Sequence, residues 1–233
     1  TFVITEDRSF VANFIAIYDV TLSINIEGSG EVTGAGTFTD GETVTVTATP
    51  NEGYTFVNWT EDGEVVSTEA EYSFEITEDR NLTANFIAIY DVTLSINIEG
   101  SGSVTGDGTY SNGSTVTVVA TPNENYAFVS WTLNEEVVST EAEYSFVITE
   151  DVELQANFIE TYDVALSVNI EDSGVITGDG TYNNGETVTL TATANEGYIF
   201  VNWTEDGEEV TAETEFTFVI TEDRSFVANF IAI

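Results

Sequence analysis

LTANFIAIYDVTLSINI, residues 82–98, keeps an apolar side chain at every second position without a break. Leu82, Ala84, Phe86, Ala88, Tyr90, Val92, Leu94, Ile96 and Ile98 share one phase, and Thr83, Asn85, Ile87, Ile89, Asp91, Thr93, Ser95 and Asn97 share the other. A period of two is the signature of a half-buried β-strand. Slipping by one residue would turn every apolar side chain outward, so an unbroken phase is selected only where the backbone stays extended. No Gly, Pro or Ser linker interrupts it. At about 3.3 Å per residue the stretch would span about 56 Å. That is long for one strand of one sheet. It is therefore expected to serve two neighbouring sheets in turn.

Working outward, the stretch sits at a repeat boundary. Trp59, Trp131 and Trp203 are spaced by 72 residues, as are Tyr18, Tyr90 and Tyr162, and Phe14, Phe86, Phe158 and Phe230. The sequence divides into repeats at 18–89, 90–161 and 162–233, preceded by residues 1–17. TFVITEDRSFVANFIAI at Thr1–Ile17 recurs identically at Thr217–Ile233. Residues 1–17 are therefore expected to be the last strands of a preceding repeat, and the chain a window on a longer tandem array. Each repeat reads as about six short strands. Asp40-Gly41, Asn112-Gly113 and Asn184-Gly185 are hairpin turn signals. Val44, Val46 and Ala48 alternate with Thr43, Thr45, Thr47 and Thr49. No 3.6-residue periodicity persists. The fold class is all-β: tandem small units, β-sandwich-like or β-grasp-like, joined by continuous strands into a rod. Ile15-Ala16-Ile17 and Ile87-Ala88-Ile89 are expected to be extended and continuous with the strands on both sides. Glu160 falls in the inward phase of the next joint, which is expected to be the more exposed and softer, though still extended.

Composition removes whole classes of function. The 233 residues include 42 acidic and 3 basic side chains, for a net charge of −39, and no Cys, His, Met or Lys. Zinc, haem and iron–sulfur ligation lack their ligands. Serine-histidine, cysteine-histidine and lysine Schiff-base catalysis lack their bases and nucleophiles. Nucleic acid is not a partner for so acidic a chain. No apolar run approaches a membrane span, so membrane insertion is not expected. Yet 42% hydrophobic and 12% aromatic residues are those of a folded protein.

GETVTVTATPNEGYTFVNWTEDG followed by ITEDRNLTANF resembles the divergent B-repeat of internalin-like bacterial surface proteins. The shared pattern is a Thr/Val strand ending in T-A-T-P, then G-Y-x-F-x-x-W, then T-x-D-x-x-L-x-A-x-F. It covers nearly all of each repeat. Asn125, Ala194 and Leu133-Asn134-Glu135 depart from it without removing a core position. The resemblance implies a β-rich spacer of secreted or wall-associated proteins, and carries over no catalytic residue.

Candidate sites are few. Paired carboxylates can do glycosidase chemistry, but here they recur in every copy on outward phases, and no enzyme activity is expected. Glu61, Asp62 and Glu64, with Glu78 and Asp79, offer the oxygens that Ca²⁺ takes, although no D-x-[DN]-x-[DN]-G loop is present. The preferred reading is a solvated acidic surface with diffuse cations and no cofactor. Asn58, Asn81, Asn112 and Asn202 open N-x-[ST] glycosylation sequons. Trp59 and its copies are either core or sugar-stacking platforms. Burial is expected of Trp59, Trp131 and Trp203, together with Phe56, Phe128 and Phe200. The function this supports is a structural segment of an extracellular stalk or fibre. Its partners would be neighbouring repeats or other copies of the chain, held in one variant by strand complementation. The alternative is a cell-surface adhesin that binds glycan or protein through repeated sites.

Overall fold

A computed structural model describes residues 6–233, and every regular element among them is a strand. The first repeat holds β1 (Ile17–Ile24), β2 (Gly30–Thr33), β3 (Gly36–Thr39), β4 (Thr43–Pro50), β5 (Tyr54–Glu61), β6 (Glu64–Ser67), β7 (Glu71–Glu75) and the first half of β8 (Arg80–Ile96). The second half of β8 opens the second repeat. There follow β9 (Gly102–Thr105), β10 (Gly108–Ser111), β11 (Thr115–Pro122), β12 (Tyr126–Leu133), β13 (Glu136–Ser139), β14 (Glu143–Val147) and the first half of β15 (Val152–Val168). The third repeat takes the rest of β15, then β16 (Gly174–Thr177), β17 (Gly180–Asn183), β18 (Thr187–Ala194), β19 (Tyr198–Glu205), β20 (Glu208–Thr211), β21 (Glu215–Val219) and β22 (Arg224–Ala232). Each repeat thus draws on eight strand segments rather than six. The Gly-rich stretch after the first strand supplies two short ones, and the hairpin after the Trp strand supplies another.

Contacts gather the chain into two compact units. One combines the first repeat with residues 109–114 and 148–151; the other holds 92–108, 115–147 and 152–233. The third repeat lies wholly in the second unit and shows the architecture. One sheet runs β20-β19-β22-β15-β17, and the other runs β16-β18-β21. The core between them draws Val164, Trp203, Phe226, Ala228 and Phe230 from the first sheet and Val188, Leu190 and Ala192 from the second. This is a two-sheet sandwich, the aligned packing of two inner faces. No helix crosses either sheet among the described residues, and the second sheet covers the face that a β-grasp helix would take. The first repeat repeats the plan as β6-β5-β8-β1-β3 over β2-β4-β7.

Trp59, Trp131 and Trp203 are fully buried. Phe56, Phe128 and Phe200 are only half-buried, because each lies at the rim with its ring against Trp and the edge of another Phe. Alternation along β4 holds as read, with Val44, Val46 and Ala48 inside. The first strand ends earlier than its pattern suggested, at Ile24, and Ile26 is exposed. Asn25 breaks it: its side-chain amide donates to Phe86 O (2.9 Å) and accepts from Phe86 N–H (2.8 Å), taking the place of a backbone rung.

The largest departure from expectation is at the start of the chain. Thr1–Thr5 lie outside the described residues. Residues 7–16 form no strand, and β1 begins at Ile17, so Ile15 and Ala16 do not continue it upstream. The sequence of residues 8–16 recurs identically at 224–232, where it forms β22. Phe14 is 94% exposed where its counterpart Phe230 is 0% exposed. The cause is pairing. β22 is flanked by β19 and β15 of its own repeat, and the described residues contain no upstream strand to flank 6–16.

Candidate functional site

The joint between the second and third repeats lies within one compact unit, and β15 runs through it unbroken. Its partners change over at a single step. Glu160 faces Tyr126 of β12, the last register pair on the second repeat's side. Thr161 faces Asn183 of β17, the first on the third repeat's side. Thr161 N–H donates to Asn125 O, and Asn184 N–H donates to Glu160 O, each at 2.8 Å. The joint is thus bonded along both edges. In the first unit Ile89 N–H likewise donates to Gly53 O (2.9 Å) and Asn112 N–H to Ala88 O (2.8 Å). The acceptor turn needs a left-handed residue. Gly53 and Gly197 supply it, and Asn125 tolerates it at φ 65°.

Glu160 does not make its joint more exposed than the first: it is half-buried, as Ala88 is. Its carboxylate accepts from Tyr162 O–H (2.9 Å) and Asn184 Nδ2 (3.3 Å), which satisfies the charge that the phase places inward. That hydrogen bond to Glu160 raises the Tyr162 hydroxyl above its ordinary pKa.

The candidate calcium residues are dispersed. Glu61 is held by Arg80, whose Nη2 lies 2.6 Å from Glu61 Oε2, and it also accepts from Asn81 N–H (3.1 Å). The hydrogen bond from Arg80 holds the Glu61 carboxyl below the usual range. Asp79 accepts from Asp19 N–H (2.9 Å). Asp62 sits in the β5–β6 turn at φ 50°, and Glu64 and Glu78 are exposed. Among the described residues no three acidic side chains gather around one point. The ion pair recurs as Glu205–Arg224, while the second repeat has Leu133 and Val152 at the two positions. Both partners change together, which avoids a half-buried charge left without its counterion.

The sequons differ in setting. Asn58 and Asn202 are half-buried and accept from the amides of Asn85 (2.7 Å) and Asn229 (2.9 Å). Asn81 accepts from the Thr21 hydroxyl. Asn112 is exposed in the β10–β11 turn. The Trp rings are sealed in the core and unavailable to stack on a sugar. A polar groove of about 430 Å³ lies on the outer face of the second repeat, lined by Thr93, Ser95, Thr132, Glu135, Glu153 and Gln155. It holds hydrogen-bonding groups but no aromatic platform and no nucleophile paired with a base.

Sequence reasoning missed the role of two sets of side chains, although it offered Asp79 as a Ca²⁺ candidate. The first is the Asn latch at Asn25, Asn97 and Asn169, each bonded twice to the backbone of Phe86, Phe158 or Phe230. The second is the aspartate at Asp79, Asp151 and Asp223, each accepting the N–H of Asp19, Asp91 or Asp163. Their recurrence at 72-residue spacing was the available signal.

A family model described as the divergent InlB B-repeat domain matches residues 20–90, 92–161 and 164–233. Comparison with curated proteins found no match. Among solved structures, a streptococcal ancillary pilin aligns at 10% identity and a TM-score of 0.23, over 91% of this chain and 99% of its own. The open form of the pilus adhesin SpaC from Lactobacillus rhamnosus GG aligns at 8% identity and a TM-score of 0.21, over 94% and 44%. TM-scores this low establish no common fold.

Proposed function

Because the chain belongs to the divergent InlB B-repeat domain family, we propose that it is a structural repeat segment of an extracellular stalk or fibre, a spacer in a surface protein with no catalytic role. The observation that carries this reading is the unbroken β15. Where repeats are independent modules, a Gly- or Ser-rich linker lets them reorient. Here the closing strand of one repeat is the opening strand of the next, and its joint residues are hydrogen-bonded to both. Bending at Thr161 would break those bonds and shift the register of a core strand. The dense negative charge adds repulsion between distant parts of the chain and keeps it soluble. The boundaries 18–89, 90–161 and 162–233, with 1–17 closing a preceding repeat, belong to this proposal. So do the diffuse cation atmosphere and the absence of a built Ca²⁺ site.

Small-angle scattering tests it. Gly-Gly-Ser inserted after Glu160 is expected to broaden the distribution of end-to-end distances and to lower the melting temperature of both flanking repeats. A wild-type chain that scatters like the insertion variant would remove the stiff-spacer reading.

A further inference from the structure

The first and last strands of each repeat lie side by side and parallel. In the third repeat Val164↔Arg224 through Val168↔Ala228 pair the second half of β15 with β22. In the first, Val20↔Arg80 through Ile24↔Ala84 pair β1 with β8. Tension along the chain enters a repeat at the start of its opening strand and leaves at the end of its closing strand. Two parallel neighbours pulled in this way slide past each other along their common axis. The hydrogen bonds of the ladder run across that axis, so they are loaded together rather than one at a time. We propose that each repeat is a shear-loaded mechanical clamp, and that bearing tension is the work it does; this rests on the stalk reading.

The side chains missed by the sequence fit this role. They bracket the parallel pair at both ends. At the opening end of the third repeat, Asp163 N–H donates to Asp223 Oδ1 at 2.8 Å. At the far end, Asn169 Nδ2 donates to Phe230 O (3.0 Å), Phe230 N–H donates to Asn169 Oδ1 (2.8 Å), and Asn169 N–H donates to Ala228 O (3.2 Å). The first repeat has the same set through Asp19–Asp79, Asn25–Phe86 and Asn25–Ala84. In both repeats these bonds extend the run of cross-links beyond the register pairs. Because β15 is continuous, the strand that closes one clamp opens the next, and force passes between the second and third repeats without crossing a slack linker.

The test is single-molecule force spectroscopy on the 233-residue chain. It has no cysteine, so handles can be placed at will. Held by its two ends, the third repeat is expected to unfold at a severalfold higher force than when held through cysteines replacing Asp163 and Glu222. Those positions lie at the same end of the parallel pair, and pulling them apart peels it rung by rung. Asn169→Ala is expected to lower the end-to-end force of the third repeat. Val188→Ala, a core change in β18 outside the pair, is expected to leave that force nearly unchanged at a comparable loss of melting temperature. Equal forces in the two pulling geometries, or equal loss from the two substitutions, would overturn the clamp. Direction-dependent forces in a chain whose joints scatter as flexible would sink the stalk reading and leave the clamp standing.

Discussion

Trp59→Ala is expected to destabilise the first repeat by about 3–5 kcal/mol, the usual cost of emptying a large aromatic site in a core. Trp59 is fully buried and bridges the two sheets, with Phe56 packed against it at 6.0 Å between ring centroids. Its indole N–H donates to Ala70 O (3.2 Å), so truncation also strips a backbone carbonyl of a partner. The surrounding Val44, Val46 and Ala84 are held in paired strands, and Ile76 is held by backbone hydrogen bonds to Gly41 and Glu42, so they cannot collapse into the void. Chemical denaturation of the whole chain is the measurement, with one of the repeat transitions moving to lower denaturant. Trp59→Phe is expected to recover most of the loss, because it keeps much of the ring and forfeits the hydrogen bond and a smaller volume. A loss below about 1 kcal/mol, the level of an ordinary surface change, would show that the sandwich core is not where the structure puts it.

Gly178→Ala is the second large effect. Gly178 has φ +110°, and an added Cβ would lie 2.5 Å from Thr189 O and 3.1 Å from Leu190 Cα. Those atoms belong to β18, whose backbone is fixed by pairing with both β16 and β21. Overpacking of this kind costs about 1–3 kcal/mol, and the left-handed backbone adds about 1–2 kcal/mol. Gly185 separates the two terms. It has φ +83° with nothing within 4 Å of its Cβ position, so Gly185→Ala carries only the backbone term. Thermal melts of the two variants measure the difference. Equal losses would mean that the approach of Gly178 to β18 costs nothing.

Much of this was legible in the chain because the deciding signals are local and repeated. The phase from Leu82 pointed to a continuous strand through the joint, which ends at Ile96 rather than Ile98, and alternation at Val44, Val46 and Ala48 pointed to the inner face. Pairing was not legible. The parallel contact of β1 with β8 joins residues 60 apart, and nothing in either strand's own pattern names its neighbour. Residues 8–16 make the same point from the other side, since they form no strand although their sequence is identical to that of β22. The outward phase also concealed Asn25, and Asp79 was read only as a candidate for Ca²⁺; both are polar residues whose role is not legible until their partners are known. Glu160 was misjudged because phase predicts burial but not the Tyr162 hydroxyl and Asn184 amide that satisfy its charge.

The central claim is that a joint between repeats is ordinary paired strand. Amide hydrogen exchange at Thr161 and Asn184 tests it most directly, because Thr161 N–H donates to Asn125 O and Asn184 N–H donates to Glu160 O, the two bonds that tie the joint to its neighbours. Local opening sets exchange, so a hinge shows as unprotected amides inside a protected strand. The account predicts that both exchange as slowly as the paired amides of β15 on either side. Exchange at the rate of a free peptide at Thr161 and Asn184, with the flanking strand still protected, would contradict it.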